Sequence, residues 1–305
     1  MKFLILIIAV FSAAAALQEE PVDYEGIFPL ILGGVESQWG QFPSAVLVDG
    51  PNEFCGGSIV DASHILTSAN CVLNSRFEII NPIYWRIIAG DIFFTPPTSR
   101  RVTREVTRIF VHSQYNPFTG ANNVALMRVK KRFFCDILKN INSIFCSQLN
   151  RPLPLPHNTI EVARRRTRVS RNGLQCQLVA FGRNTNLTTT AYRPRQINLG
   201  QSIMDRDLCI NAFPHSNRIA DTMICTQTSA TAAPCTGSIG SGLYCDGFLT
   251  GVLSGGNYCN AVPAVYQQVR AYNQWIDETM RIANNTEQVL SPLNMRGFPQ
   301  PILGN

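Results

Sequence analysis

The sequence predicts an all-β fold closed by one C-terminal helix, and three observations support this prediction. From about residue 40 to 275, short runs rich in Val, Ile, Phe and Thr alternate with clusters of Gly, Pro, Asn and Asp, which is typical of strands joined by turns. A polar, basic stretch at about 140–173 divides these runs into two halves of similar length. Only residues 272–282 show convincing helical spacing. We therefore expect two packed barrels and a closing helix.

The two ends of the chain are expected to lie outside this folded unit. Residues 1–16 carry one charge, Lys2, then a short apolar run, and end in small alanine residues, which is the pattern of a secretory signal. No later stretch reaches the ~18 to 20 apolar residues of a spanning helix, so we expect no transmembrane segment. Residues 17–30 form an N-terminal extension, and residues 283–305, with three prolines and two glycines, are expected to form a loose, flexible tail. The sequence thus predicts a secreted, extracellular protein.

The composition indicates a globular protein with disulfide bonds. The 305 residues are 45% apolar and 15% charged, and ten are cysteines. In a secreted chain, cysteines that form no Cys-x-x-Cys pair favour disulfides over zinc ligands. We therefore expect no metal and no cofactor, and we expect no nucleic-acid partner.

The net charge of +6 comes largely from one short basic segment. Such a run is usually a solvated loop. The alternative is a site for an anionic glycan or an anionic surface. The segment contains Arg164, Arg165, Arg166, Arg168 and Arg171.

Five motifs occur in a fixed order along the chain. They are Ile31-Leu32-Gly33-Gly34; Cys55-Gly56-Gly57-Ser58-Ile59 with Ile65-Leu66-Thr67-Ser68-Ala69-Asn70-Cys71; Asn122-Asn123-Val124-Ala125-Leu126; Cys235-Thr236-Gly237-Ser238-Ile239-Gly240-Ser241-Gly242-Leu243; and Ser254-Gly255-Gly256. Together they resemble the trypsin/chymotrypsin-like serine peptidase family over about residues 31–282, and specifically its non-catalytic members, the arthropod-type serine protease homologs, here without a clip module. The resemblance implies two packed six-stranded antiparallel β-barrels with a C-terminal helix.

The resemblance also implies the disulfide pairing. The implied bridges join Cys55 to Cys71, Cys176 to Cys245, Cys209 to Cys225, and Cys235 to Cys259. The two remaining cysteines, Cys135 and Cys146, are expected to form a local bridge. The alternative is that one of them bonds a partner chain.

The residues at the positions of the catalytic triad carry no chemistry for peptide hydrolysis. That reaction needs a hydroxyl nucleophile, an imidazole base and a carboxylate that orients the imidazole. The resemblance places Asn70, Asn123 and Ile239 at these positions, and none of them is a nucleophile or a base near neutral pH. Ser238 and Ser241 lie beside the nucleophile position, but the spacing between Cys235 and Cys245 argues against a slipped alignment. None of the four histidines, His64, His112, His157 and His215, matches a catalytic motif.

Activation and substrate selection also depart from the family pattern. Leu30 precedes Ile31 where active members have a basic residue, and Ser238 stands where they have an aspartate that pairs with the freed isoleucine amine. The pocket floor corresponds to Ala233 and the groove tryptophan to Gly255. With Ser254, Gly256 and Ala264, these residues are expected to be a remnant of a specificity pocket. The loop after Asp91 lacks the acidic pair that binds calcium in some relatives.

Two sequons could carry N-glycans in a secreted glycoprotein. They begin at Asn186 and Asn284, and each is expected in a polar loop.

Three functions compete on this sequence. The first is an inactive homolog that binds proteins as a cofactor, adaptor or decoy in an extracellular protease network, in immune or reproductive fluid, with an active serine protease or its substrate as partner. The second is an anionic glycan or surface binder that uses the Arg164 to Arg171 segment. The third and least favoured is residual peptidase activity.

Overall fold

The structure is a computed structural model that describes residues 30–51, 54–94, 96–129, 159–184, 195–213, 219–235, 238–255 and 262–289. The predicted signal, and the predicted extension except for Leu30, lie outside these residues. The described chain begins with two short strands, β1 (Leu30–Leu32) and β2 (Val35–Glu36). Gly33 and Gly34 join them with positive φ angles of 68° and 81°, which residues with a side chain rarely adopt.

The first half of the chain forms a closed six-stranded barrel. Its strands pair antiparallel around the barrel in the order β3, β4, β5, β8, β7, β6. They are β3 (Ala45–Asp49), β4 (Phe54–Asp61), β5 (His64–Thr67), β6 (Arg86–Ala89), β7 (Val102–Val111) and β8 (Ala125–Val129). The interior is filled mainly by branched apolar side chains, as expected for strands buried on a barrel face.

The second half forms a nine-stranded sheet built on six main strands. The six are β9 (Gln175–Asn184), β10 (Arg195–Ser202), β11 (Met223–Thr226), β13 (Gly242–Cys245), β14 (Phe248–Gly255) and β15 (Ala264–Gln268), and a short β12 (Ala233–Pro234) pairs with β1. The outer strands β10 and β11 are joined where Met204 N–H donates to Cys225 O at 3.0 Å and Gln227 N–H donates to Ser202 O at 3.1 Å. The six strands therefore curl round toward a second barrel.

Two helices complete the described fold: α1 (Arg206–Asn211) and the closing helix α2 (Val269–Val289). The predicted boundary at residue 282 is wrong, because the helix continues to Val289. Residues 283–289 contain no glycine or proline, Ala283 is fully buried, and its carbonyl accepts a hydrogen bond from the buried Arg128 of β8. Within the described residues, no helix has the length and apolar character needed to cross a bilayer.

Helix α2 packs where the two halves meet. A single apolar cluster combines Leu66 and Leu126 from the first barrel, Val179 and Leu249 from the second, and Tyr272 with its helix neighbours. The two halves are thus fixed against each other through a shared core. The loops that carry the candidate site lie at this junction.

Candidate functional site

The structure brings Asn70, Asn123 and Ile239 to the junction from three separate loops. Asn70 opens a 3-10 turn (Asn70–Val72) after β5, Asn123 lies just before β8, and Ile239 lies in the turn between β12 and β13. The carbonyl of Ile239 accepts a hydrogen bond from Gly56 N–H at 2.8 Å. Gly56 follows Cys55, which is bonded to Cys71 next to Asn70. The first barrel therefore holds both Asn70 and the Ile239 turn.

Two backbone groups fix the orientation of the Asn123 amide. Its Oδ1 accepts from the N–H of Asn70 at 2.9 Å, and its Nδ2 donates to the carbonyl of Ser254 at 3.1 Å. Only an oxygen can accept and only a nitrogen can donate in these positions. Asn123 therefore acts as a donor toward Ser254, a role that an ionised carboxylate could not fill.

The orientation of Asn123 in turn fixes that of Asn70. The Nδ2 of Asn123 also donates to Asn70 Oδ1 at 3.0 Å. If the Asn70 amide were flipped, its NH₂ group would face the NH₂ group of Asn123, and two donors would meet. The Asn70 Nδ2 therefore faces away from Asn123. This nitrogen has no acceptor among the described residues, and it is not fully buried. Asn70 thus offers an accessible hydrogen-bond donor where the family has an imidazole.

A hydrogen-bonded series of neutral side chains connects Asn70 and Asn123 to the second half. Ser254 Oγ accepts from Gln267 Nε2 at 2.9 Å, and Gln267 Oε1 accepts from the Tyr272 hydroxyl at 2.6 Å. Burial raises the pKa of Tyr272, which keeps this hydroxyl a donor. None of these hydrogen-bonded side chains is charged near neutral pH. The sequence singled out Ser254 but missed Gln267 and Tyr272, because their role depends on contacts between residues far apart in the chain.

Ile239, which the resemblance places at the nucleophile position, has an apolar side chain. It is partly buried and packs against the core of the first barrel. The adjacent Ser238 and Ser241 are fully buried, and neither hydroxyl has a hydrogen-bond partner among the described residues. A buried hydroxyl without a base is not activated for attack.

The Ile31 segment forms part of the second half. Ile31 is 1% exposed and lies in β1, which pairs with β12 on one side and with β9 on the other. Strand pairing holds this segment in place. Ser238, where the resemblance implies an aspartate, has no charge that could pair with an isoleucine amine.

The predicted pocket remnant is only partly described. Ala233 and Ala264 are buried in the second half, with 0% and 1% of their surface exposed. Among the described residues, a side chain built at Gly255 would meet no atom within 4 Å. Gly256 lies outside the described residues.

Three of the implied disulfides are present in the structure. They join Cys55 to Cys71, Cys176 to Cys245 and Cys209 to Cys225. Cys235 is also disulfide-bonded, but Cys259, Cys135 and Cys146 lie outside the described residues. Their pairing remains a prediction.

The glycan sites stay predictions as well. Asn186 lies outside the described residues. Asn284 lies on the backbone of α2, so its sequon is helical and is not in the polar loop that the sequence predicts.

Only part of the predicted basic patch is free. Arg165 pairs with Asp277 of α2 at 2.6 Å, and Arg166 lies 3.5 Å from Asp246. These two arginines fasten the segment to the second half. The exposed members are Arg164, Arg168 and Arg171.

The surroundings of Arg164 have mixed charge. It lines a cavity of about 400 Å³ together with Glu161 and Asp246. The carboxylates reduce the positive potential at this end of the segment.

The two described histidines, His64 and His112, make no side-chain hydrogen bond to Asn70, Asn123 or Ile239. His64 is fully buried and its Nδ1 contacts the carboxylate of Asp61 at 2.9 Å. His112 packs against the rings of Tyr272 and Trp275, and burial lowers its pKa. His157 and His215 lie outside the described residues.

Comparison with known proteins gives a consistent family match. The family model described as Trypsin matches residues 31–276. Lectizyme from Glossina austeni is 26% identical over 292 residues, which covers 92% of this chain and 97% of the relative. Trypsin I-P1 from Gallus gallus is 25% identical and covers 92% and 99%, and Chymotrypsin-2 from Vespa crabro is 27% identical and covers 81% and 99%. The predicted fold class is confirmed.

Proposed function

This chain belongs to the trypsin family, and from that premise we propose that it is a non-catalytic member that binds other proteins without hydrolysing them. The observation that carries the proposal is the neutral amide network at Asn70 and Asn123. In this network Asn123 donates through its Nδ2 and accepts through its Oδ1, a combination that an ionised carboxylate cannot provide. The nucleophile position holds Ile239. A working triad in a related fold is worth about a million-fold in turnover, and none of its chemical groups is available here.

The partner is proposed to be an extracellular protein, such as an active serine protease or its substrate. The fold supports this role because a disulfide-fixed scaffold presents loops rigidly whether or not the site reacts. The disulfides are consistent with an extracellular location, and we propose that the protein is secreted.

The central experiment measures hydrolysis and covalent labelling together. The purified protein is incubated with fluorogenic peptide substrates and with a fluorophosphonate probe, with Trypsin I-P1 as the active control. We expect turnover equal to that of buffer and no labelled serine. Labelling mapped to Ser238 or Ser241, or turnover proportional to protein concentration, would overturn the proposal.

Three exposed arginines favour a second candidate, binding to an anionic glycan. Arg164, Arg168 and Arg171 lie in one short segment, and such binding weakens as salt screens the charges. On a heparin column, changing these three residues to Ser should lower the salt needed for elution. Unchanged elution of the triple variant would exclude the segment. The matched control changes Arg281, an exposed arginine on α2, to Ser.

A further inference from the structure

The Asn70 side chain gives the site a definite ligand chemistry. Its Nδ2 group points away from Asn123, has no acceptor among the described residues and is reached by solvent. A donor pre-oriented in this way gains a hydrogen bond with little loss of conformational entropy when an acceptor arrives. Any ligand that contacts Asn70 must therefore present a hydrogen-bond acceptor.

The rest of the site restricts which acceptors fit. Asn123, Ser254 and Gln267 are neutral, and Ile239 is apolar. A phosphate or sulfate group generally requires cationic side chains, and none belongs to this network. A planar carbonyl or carboxylate oxygen needs fewer cationic side chains around it than a phosphate or sulfate group does.

Gly255 follows Ser254 at the end of β14, and a side chain built there would meet no described atom within 4 Å. Among the residues that the structure describes, a ligand therefore has room beside the donor network. The partly buried Ile239 adds an apolar surface. A polypeptide supplies both a carbonyl oxygen and an apolar side chain.

We propose that Asn70 binds an acceptor oxygen of a polypeptide, either a main-chain carbonyl or a C-terminal carboxylate, and holds it uncleaved. This inference rests on the proposed function and names the ligand chemistry of the same site. Asn123 is a positioning residue in it, because it fixes which atom of Asn70 faces the ligand. Asn70 is the residue that touches the ligand.

The test uses two small probes and NMR of the whole protein. N-acetyl-leucine N-methylamide supplies only amide carbonyls, whereas N-acetyl-leucine also supplies a carboxylate. The Asn70 side-chain NH₂ resonance, assigned by its absence in Asn70→Ala, is followed during each titration. A saturable shift with the methylamide indicates a main-chain carbonyl, and a shift with the acid alone indicates a C-terminal carboxylate. No shift with either probe overturns the proposal.

Variants separate donation by Asn70 from a general effect on structure. Asn70→Ala should weaken binding of the active probe by about tenfold, the effect of losing one hydrogen bond of ordinary strength. Gln114→Ala removes an exposed amide from the neighbouring loop and should leave the affinity unchanged. Equal weakening by both variants would contradict a specific role for Asn70.

One further variant and the separate hydrolysis assay keep the result interpretable. If Asn70→Ala does not fold, Asn70→Asp keeps the oxygen that accepts from Asn123 while removing the donor, and it should also weaken binding. Failure of the titration leaves the hydrolysis and labelling result unaffected. The two proposals can therefore fail independently.

Discussion

At the level of one residue, Asn123 shows that the hydrogen bonds of the site depend on an amide group. Its Nδ2 donates to the Ser254 carbonyl and to Asn70 Oδ1. A carboxylate at this position would place its oxygen against two acceptors. Restoring the acid of the family pattern should therefore destabilise this protein.

We predict that Asn123→Asp lowers the free energy of unfolding at neutral pH by about 1 to 3 kcal/mol, the cost of leaving buried polar groups without partners. Because the folded state disfavours the charged form, the pKa of the new carboxyl should be raised. The loss should then shrink as the pH falls below that pKa. Urea unfolding at several pH values measures both effects.

The control for this prediction is Asn116→Asp. The Oδ1 of Asn116 accepts from the N–H groups of Phe118 and Thr119 on an exposed loop, a role that a carboxylate fills equally well. This variant should stay close to the parent at neutral pH. Equal loss in the two variants would contradict the argument from donor geometry.

At the level of elements, the turn between β4 and β5 gives the fold a dependence on pH. Burial raises the pKa of Asp61, but its hydrogen bond and charge interaction with His64, and the N–H groups of Ser63 and His64, outweigh this effect and leave the pKa lowered. A lowered carboxyl pKa contributes stability above the unfolded value of about 3.9, and this contribution is lost as the pH falls through the folded value.

We predict that Asp61→Asn reduces the loss of stability between neutral pH and pH ~3, because it removes this titration. Chemical unfolding of the parent and the variant across this range measures the difference. Asp207→Asn, at an exposed carboxyl on α1, should leave the slope unchanged. A parent-like slope in Asp61→Asn would exclude the turn as the source.

The elements also show what the sequence could and could not predict. The alternating strands and the amphipathic start of α2 follow from local periodicity, so their existence was predictable. The helix end was not, because residues 283–289 are stabilised by burial of Ala283 and by Arg128 from a distant strand. The site positions Asn70, Asn123 and Ile239 were predicted through the resemblance to the family and not from local patterns. The orientation of the Asn70 donor required the backbone partners of Asn123.

At the level of the whole molecule, the departures from the family's sequence pattern are spread over both halves. Asn70 and Asn123 come from the first barrel, while Ile239, Ser238 and the Ile31 strand belong to the second half. Ser238, where the resemblance implies an aspartate, carries no charge that could pair with an isoleucine amine. We therefore expect that restoring three side chains does not restore the arrangement on which the family's reaction depends.

We predict that the triple variant Asn70→His, Asn123→Asp and Ile239→Ser stays without measurable turnover of fluorogenic peptides. The new aspartate would face the Ser254 carbonyl, and the new serine would follow the uncharged Ser238. The measurement compares the variant with its parent and with Trypsin I-P1, after circular dichroism has established that the variant is folded. Turnover well above that of the parent would show that the scaffold can still support catalysis and that the three parent side chains alone account for its absence.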